Sequence, residues 1–269
     1  MDAEAEPGPS VAPRPLVGRV ALVVGGAGGV GREVAAALAA EGAGVVIAGR
    51  SRANAQHALD AIRSADPRAD VGFAPVDLVR YADCSDLIER VVSERGRLDA
   101  VVNCANTPTP GMGGRFGDVN PQNFTAFLEG SLTTVFNLCH AALPALAGLG
   151  GGAIVNFASD SGRVAAPNQT MIGATRAAIM MFTRSLSLET AAQGVRVNCI
   201  SSSFIKDTPV YETVMSGPIA SRARTAATRA GLGLPGPSDI AQLAVFLCGD
   251  ASSHLTGQVI SVNGGVSAG

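Results

Sequence analysis

The chain has 269 residues, enough for one large α/β domain or two small ones. Hydrophobic residues make up 47% against 16% charged, so a sizeable core can be buried; with aromatics at 4% and Trp absent, it must be built from Ala, Val, Leu and Ile. A formal charge of −2 argues against a nucleic-acid surface, which would need a basic face, and no apolar run is long enough to span a bilayer.

Met1 to Leu16 is Pro-rich without apolar periodicity and is expected to be a disordered tail, leaving 17–269 as one folded unit. It lacks the basic start and apolar stretch of a signal peptide, which predicts a cytoplasmic protein. From Arg19 onward short apolar runs alternate with helical patterns. Strands are predicted at Val20–Val24, Gly44–Ala48, Val71–Ala74, Ala100–Val102, Ala153–Phe157, Val195–Ile200 and Val259–Val262. Several are near-continuous Val, Ile, Leu and Ala, as strands covered on both faces require. Helices are predicted between them at Val30–Ala40, Ala53–Ser64, Cys84–Glu94, Asn123–Leu146, Met171–Ala192 and Ser238–Leu247. This order implies βαβ units, hence a single α/β domain: a doubly wound, Rossmann-type, seven-stranded parallel sheet in three layers. The five cysteines, Cys84, Cys104, Cys139, Cys199 and Cys248, are odd in number and lack C-x-x-C spacing. They are expected as buried free thiols, and no metal site is expected.

The first strand runs into V-V-G-G-A-G-G-V-G-R, where Gly25, Gly29 and Gly31 open the first helix. Glycines here permit a tight turn and let backbone N–H groups approach a pyrophosphate at the helix N-terminus. The second strand ends in Gly49 where a carboxylate would accept from a ribose 2′-hydroxyl, and Arg50, Ser51 and Arg52 follow. A permanently charged guanidinium suits a 2′-phosphate, so NADP(H) is the expected cofactor.

These landmarks resemble the short-chain dehydrogenase/reductase family. G-G-A-G-G-V-G is similar to its T-G-x-x-x-G-x-G, with Val24 at the Thr position, and N-C-A-N (Asn103 to Asn106) stands where the family has N-N-A-G. I-V-N-F-A-S puts Ser159 at the family's serine, while G-V-R-V-N-C-I and L-T-G-Q-V-I-S-V-N-G-G match its later strands. The resemblance implies a dinucleotide site of Gly25, Gly29, Val30, Gly31, Asp77, Leu78, Asn103, Ala105, Arg176, Ile205 and Thr208, beside Arg50, Ser51 and Arg52. It implies a substrate lid over 203–232, a small-molecule substrate, and a homodimer or homotetramer formed through the helices after the fourth and fifth strands.

The family's Tyr-x-x-x-Lys is replaced. Thirteen residues after Ser159 comes Ile172, and four further on Arg176, in a register held by A-T-R-A-A-I. Ser131 stands at the family's Asn, and Ser202-Ser203 at its P-G. The departures crowd the nicotinamide half of the site. Catalytic candidates are therefore Ser159, Ser131, Arg176 as an anion or ribose holder, Asp160 as a buried carboxylic acid, and Tyr211 in the lid. Lys206 in the lid is a further proton source to consider, whereas Tyr81 lies too far away; His57, His140 and His254 read as structural. Three functions remain open: an NADP(H)-dependent reductase of a C=C, C=N or C=O bond with a non-standard proton source; a non-redox enzyme for cyclisation, isomerisation or dehydration; and a non-catalytic NADP-binding protein.

Overall fold

The computed structural model describes residues 14–105, 112–217 and 219–268. Seven strands, β1 (Val20–Val24), β2 (Gly44–Gly49), β3 (Val71–Pro75), β4 (Ala100–Asn103), β5 (Gly152–Ser159), β6 (Val195–Ser202) and β7 (Val259–Ser261), form one parallel sheet in the order β3-β2-β1-β4-β5-β6-β7. The period-2 pleat sorts their side chains into two cores. Val20, Leu22 and Val24 of β1 pack on one face with Leu87, Ile88 and Val91 of α3 (Tyr81–Arg95) and with α5 (Thr134–Gly148) and α6 (Thr170–Thr190). Ala21 and Val23 face the other way, toward α1 (Gly29–Ala40), α2 (Arg52–Ala65) and α9 (Pro237–Cys248). Three layers and a single domain follow, as expected from the alternating pattern.

Three expectations change. Most of the tail lies outside the described residues, but Leu16 is not tail: it is 2% exposed, packs in the core beside α1 and α9, and donates its N–H to the Glu41 carbonyl at 3.0 Å. One large apolar side chain buries enough surface to hold the segment entering β1. The helix expected over Asn123–Leu146 is broken: α4 (Phe124–Leu128) passes through a π-helical turn at Glu129–Thr133 before α5 begins. An extra residue in that turn shifts the helix face, a distortion invisible to a 3.6-residue pattern. Finally, the segment 203–232, expected as a substrate lid, contains two helices with no counterpart in the expected elements, α7 (Pro209–Ser216) and α8 (Ala220–Arg229). T-P-V-Y-E did carry a start signal: Thr208 accepts from the Tyr211 N–H at 3.1 Å as N-cap, with Pro209 at the first helical position.

The cysteines are free, and Cys84, Cys139, Cys199 and Cys248 are buried, with Cys104 partly so. Burial pushes the Cys84 thiol up to about 11 and those of Cys139, Cys199 and Cys248 to about 12. They pack as small hydrophobes and are not thiolates at neutral pH. Among the described residues no helix is long and apolar enough to cross a membrane, and no metal-holding cluster occurs.

Candidate active site

Register places the chemistry at one end of the sheet. Val24 pairs with Asn103, Asn103 with Asn156, and Ser159 with Ser202, so the strands β1, β4, β5 and β6 stop side by side at their carboxyl ends. The strand order reverses between β1 and β4, where open parallel sheets leave a crevice. A cavity of about 620 Å³ occupies it.

Gly25 begins the wall at φ +77°, and a Cβ there would sit 2.8 Å from the Ala105 backbone N. Gly31, in the first turn of α1, packs so closely on the loop that a Cβ would lie 2.3 Å from the Gly25 carbonyl oxygen. Gly28, the N-cap, has no side-chain cap and only open space where a Cβ would be. The first N–H groups of α1 thus face open cavity, which fits a pyrophosphate.

The cavity also gathers Val30, Arg50, Asp77, Leu78, Ala105, Arg176, Ile205 and Thr208 from the expected cofactor set. Ser51 and Arg52 do not line it. The Ser51 hydroxyl caps α2 by accepting from the Asn54 N–H at 3.2 Å, and the Arg52 guanidinium stands 5.4 Å from the centre of the Phe73 ring. Asn103 does not line it either: it is buried, and neither polar atom of its side chain has a hydrogen-bond partner among the described residues. Asn106 lies outside the described residues. Val76, Val79, Pro209, Val210 and Val214 line the cavity without having been anticipated. An apolar side chain carries no chemical signature in a motif, so these required the fold.

Ser159 and Arg176 both line this cavity because two glycines let α6 close on the turn after β5. A Cβ on Gly162 would lie 2.6 Å from the Ala177 N and 2.7 Å from the Arg176 carbonyl carbon; one on Gly173 would lie 2.7 Å from the Ser161 carbonyl oxygen. Deeper down, the buried Asn156 of β5 donates to the Thr183 hydroxyl of α6 at 3.1 Å and tethers the same pair of elements. Burial lowers the Arg176 pKa from its ordinary value, the Cys199 thiol opposing this. A guanidinium nevertheless stays protonated at neutral pH.

Ile172, one turn before Arg176, is half-buried in a small apolar cluster with Met112, Val119, Phe124, Phe127 and Met171. Ser131 is 4% exposed inside the π turn, with no hydrogen-bond partner for its hydroxyl among the described residues, and it does not reach the cavity; Thr134 does. Tyr211 of α7 lines the cavity and, like Phe204, packs against the cluster of Ala226, Ala230 and Leu234. Lys206 is exposed, and Tyr81 pairs with His140 at 2.9 Å on the outer face of α3 and α5.

Asp160 corrects an expectation. It is 5% exposed, and its carboxylate accepts from the hydroxyls of Ser201, Ser261 and Ser267 at 2.6, 2.7 and 3.1 Å and from the Asn263 amide. Burial raises its pKa, but the donors together outweigh burial and hold it below the ordinary carboxylate range. An ionised, saturated carboxylate is an anchor for the C-terminal segment and not a proton donor.

A doubly wound parallel sheet with a glycine-rich helix start at its switch point, and a serine and a cation lining the crevice there, fits a dinucleotide-dependent enzyme class. The chain belongs to the short-chain dehydrogenase/reductase family, a family of oxidoreductases. Residues 25–267 match the family model described as enoyl-(acyl carrier protein) reductase. The chain is 31% identical to the 3-oxoacyl-[acyl-carrier-protein] reductase FabG of Chlamydia trachomatis over 93% of this chain and 98% of that one. It is 34% identical to a putative short-chain dehydrogenase/reductase from Burkholderia xenovorans, with a TM-score of 0.87 over 96% and 99% of the two chains. An actinorhodin polyketide ketoreductase variant with NADPH superposes at a TM-score of 0.84 and 27% identity, over 92% and 97%.

Proposed function

We propose that the protein is an NADP(H)-dependent oxidoreductase that reduces a C=C, C=N or C=O bond of a small metabolite and draws its proton from outside α6. The observation that carries this reading is the cavity itself. One continuous wall joins the glycine loop, Arg50, Asp77, Arg176 and Ser159; the sequence register that reads Ile172, a residue off this wall and without an exchangeable proton, at the family's tyrosine position supports a proton source elsewhere. The related reductases, and the NADPH present in a structure superposing on nearly the whole chain, support the redox reading.

The bound cofactor would supply the hydride. The chain's own residues orient and protect. The Ser159 hydroxyl donates to a substrate heteroatom and polarises the bond accepting hydride. Arg176 balances negative charge as it develops there and holds ribose hydroxyls. Tyr211 brings a phenol to the same cavity from the lid and is the proposed proton source for the product carbon or oxygen. The apolar lid residues Val210 and Val214 keep bulk water away. Exposed Phe136 on α5 and Met181 and Leu188 on α6 support association of copies through those helices.

Arg50→Ala is expected to weaken NADPH binding roughly tenfold or more, the loss of a charge-assisted contact, with NADH affinity unchanged. Arg52→Ala is expected to cost less, because its guanidinium already rests on Phe73. Fluorescence titration with both cofactors reads this difference; equal losses for both, or none, would remove the case for the phosphorylated cofactor.

Following NADPH absorbance with carbonyl, enoyl and imine substrates tests the function directly. Turnover that falls at least tenfold in Tyr211→Phe supports the assignment. Ile172→Tyr combined with Arg176→Lys is expected to raise carbonyl reduction roughly 100-fold. A wild-type chain that binds no dinucleotide would end the proposal.

A further inference from the structure

Beside the dinucleotide cavity lies a second one, of about 340 Å³, and the two share Ser159, Ser203 and Phe204. Its chemistry differs from that of its neighbour. Two arginines of α8, Arg222 and Arg229, line it together with Ser161, Ser221 and Thr225, the Thr225 hydroxyl donating to the Ser221 carbonyl at 3.0 Å. Neither arginine forms an ion pair among the described residues. Arg222 is half-buried and donates to the Pro167 carbonyl at 3.0 Å, which pins α8 over the loop after β5 and closes one side of the cavity. Asp160 is the acidic residue on the wall, and both of its oxygens are already engaged by side-chain donors. The Ser161 hydroxyl is buried and has no hydrogen-bond partner among the described residues. A buried hydroxyl left unsatisfied costs free energy, which a hydrogen-bond acceptor within its reach would recover.

We infer that this second cavity is a subsite for an oxyanionic group of the substrate, a carboxylate or a phosphate monoester. The inference rests on the reductase reading, because the reacting carbon would sit at Ser159, where the two cavities join. From there the substrate's anionic end reaches Arg222 and Arg229, and the Ser161 hydroxyl donates to it. A guanidinium pair matches an oxyanion in charge and in planar, forked donor geometry. Because both arginines come from the lid, a substrate carrying such a group also draws α8 onto the site.

The probes are 4-oxopentanoate, its uncharged methyl ester and inorganic phosphate. Each is titrated into the full chain by ligand-observed NMR at constant ionic strength, with and without NADPH. The acid is expected to bind roughly tenfold or more tightly than the ester, the size of a charge-assisted contact. Arg222→Gln with Arg229→Gln should abolish that preference while ester and NADPH affinities stay unchanged; the Lys pair should keep part of it. Competition between phosphate and the acid reveals which oxyanion the site favours. Because the Gln pair also removes the Pro167 contact, a second measurement uses the native chain. The acid should protect Arg222 and Arg229 from phenylglyoxal, mapped by mass spectrometry. Equal binding of acid and ester, a preference that survives the Gln pair, or no protection would overturn the subsite. An acid preference in a chain that binds no NADPH would instead sink the reductase reading and leave the subsite standing.

Discussion

Replacing Asp160 by Ala is expected to destabilise the fold by roughly 3 kcal/mol, lowering the melting temperature by about 6–12 °C for a chain of this size. The carboxylate is the common acceptor for Ser201 at the end of β6, Ser261 in β7, and Asn263 and Ser267 beyond it. Removing it takes the acceptor from the Ser201, Ser261 and Ser267 hydroxyls at once, on separate parts of the chain, while the Asn263 amide keeps the Ser267 carbonyl. The short strand β7 depends on these bonds most, since only Cys199–Ser201 of β6 pair with it. Asp160→Asn keeps the size but turns one acceptor into a donor facing donors, so it should recover little. The pH dependence has a definite sign. The folded-state pKa lies below the ordinary 3.8, so the unfolded chain takes up the proton first. The Asp160 contribution is complete above about pH 4–5 and is lost as pH falls through the folded-state value. Thermal melts from pH 7 to pH 3 should show wild type and Asp160→Asn converging in acid; a constant gap would show that the carboxylate is not ionised in the fold.

Gly31→Ala is expected to raise the NADPH dissociation constant by roughly 100-fold or more while leaving most of the sheet folded. The new methyl carbon would meet the Gly25 carbonyl oxygen at 2.3 Å and the Gly26 Cα at 3.0 Å, both backbone atoms that no rotamer change can move. The loop must shift away from α1, and the N–H groups that face the cavity lose their common aim. Because phosphate binding here relies on several such groups at once, a small displacement weakens all of them together. Gly148→Ala is the matched control: it sits in the last turn of α5, nothing lies within 4 Å of its Cβ position, and the change should be neutral or slightly stabilising. Calorimetry of NADPH binding with circular dichroism at far-ultraviolet wavelengths separates the two effects. Unchanged affinity in Gly31→Ala would mean that the dinucleotide does not use this loop.

Much of this molecule could be read before any coordinates. The alternation of apolar runs with helical periods implied a parallel sheet, because buried parallel strands need continuous Val and Ile and each crossover needs a helix, whereas the order of its strands came only with the structure. Val20–Val24 was placed to the residue, and β2, β3, β4 and β5 were extended by only one or two residues at their ends. The glycine loop and the position of Ser159 were equally legible, since strand-to-helix turns at a phosphate site constrain residue type locally.

What the sequence could not decide were the properties that depend on distant partners. Asp160 read as a candidate acid because its neighbours along the chain are silent about charge. Its ionised state is set by Ser261, Asn263 and Ser267, about a hundred residues further on, which only the β6–β7 pairing brings to it. Ser131 read as catalytic, but a π turn rotates it into the interior and offers Thr134 to the cavity instead. The arginines of α8 gave no local signal of a site, because a charge on a helix is a solvated charge until the chain folds a cavity against it. Local composition thus determined the seven strands and most of the helices between them, since those follow from short-range periodicity, but not α7, α8 or the π turn before α5. Protonation, exposure and the second cavity were decided by tertiary contacts, since electrostatic environment and shape belong to groups that meet only in space.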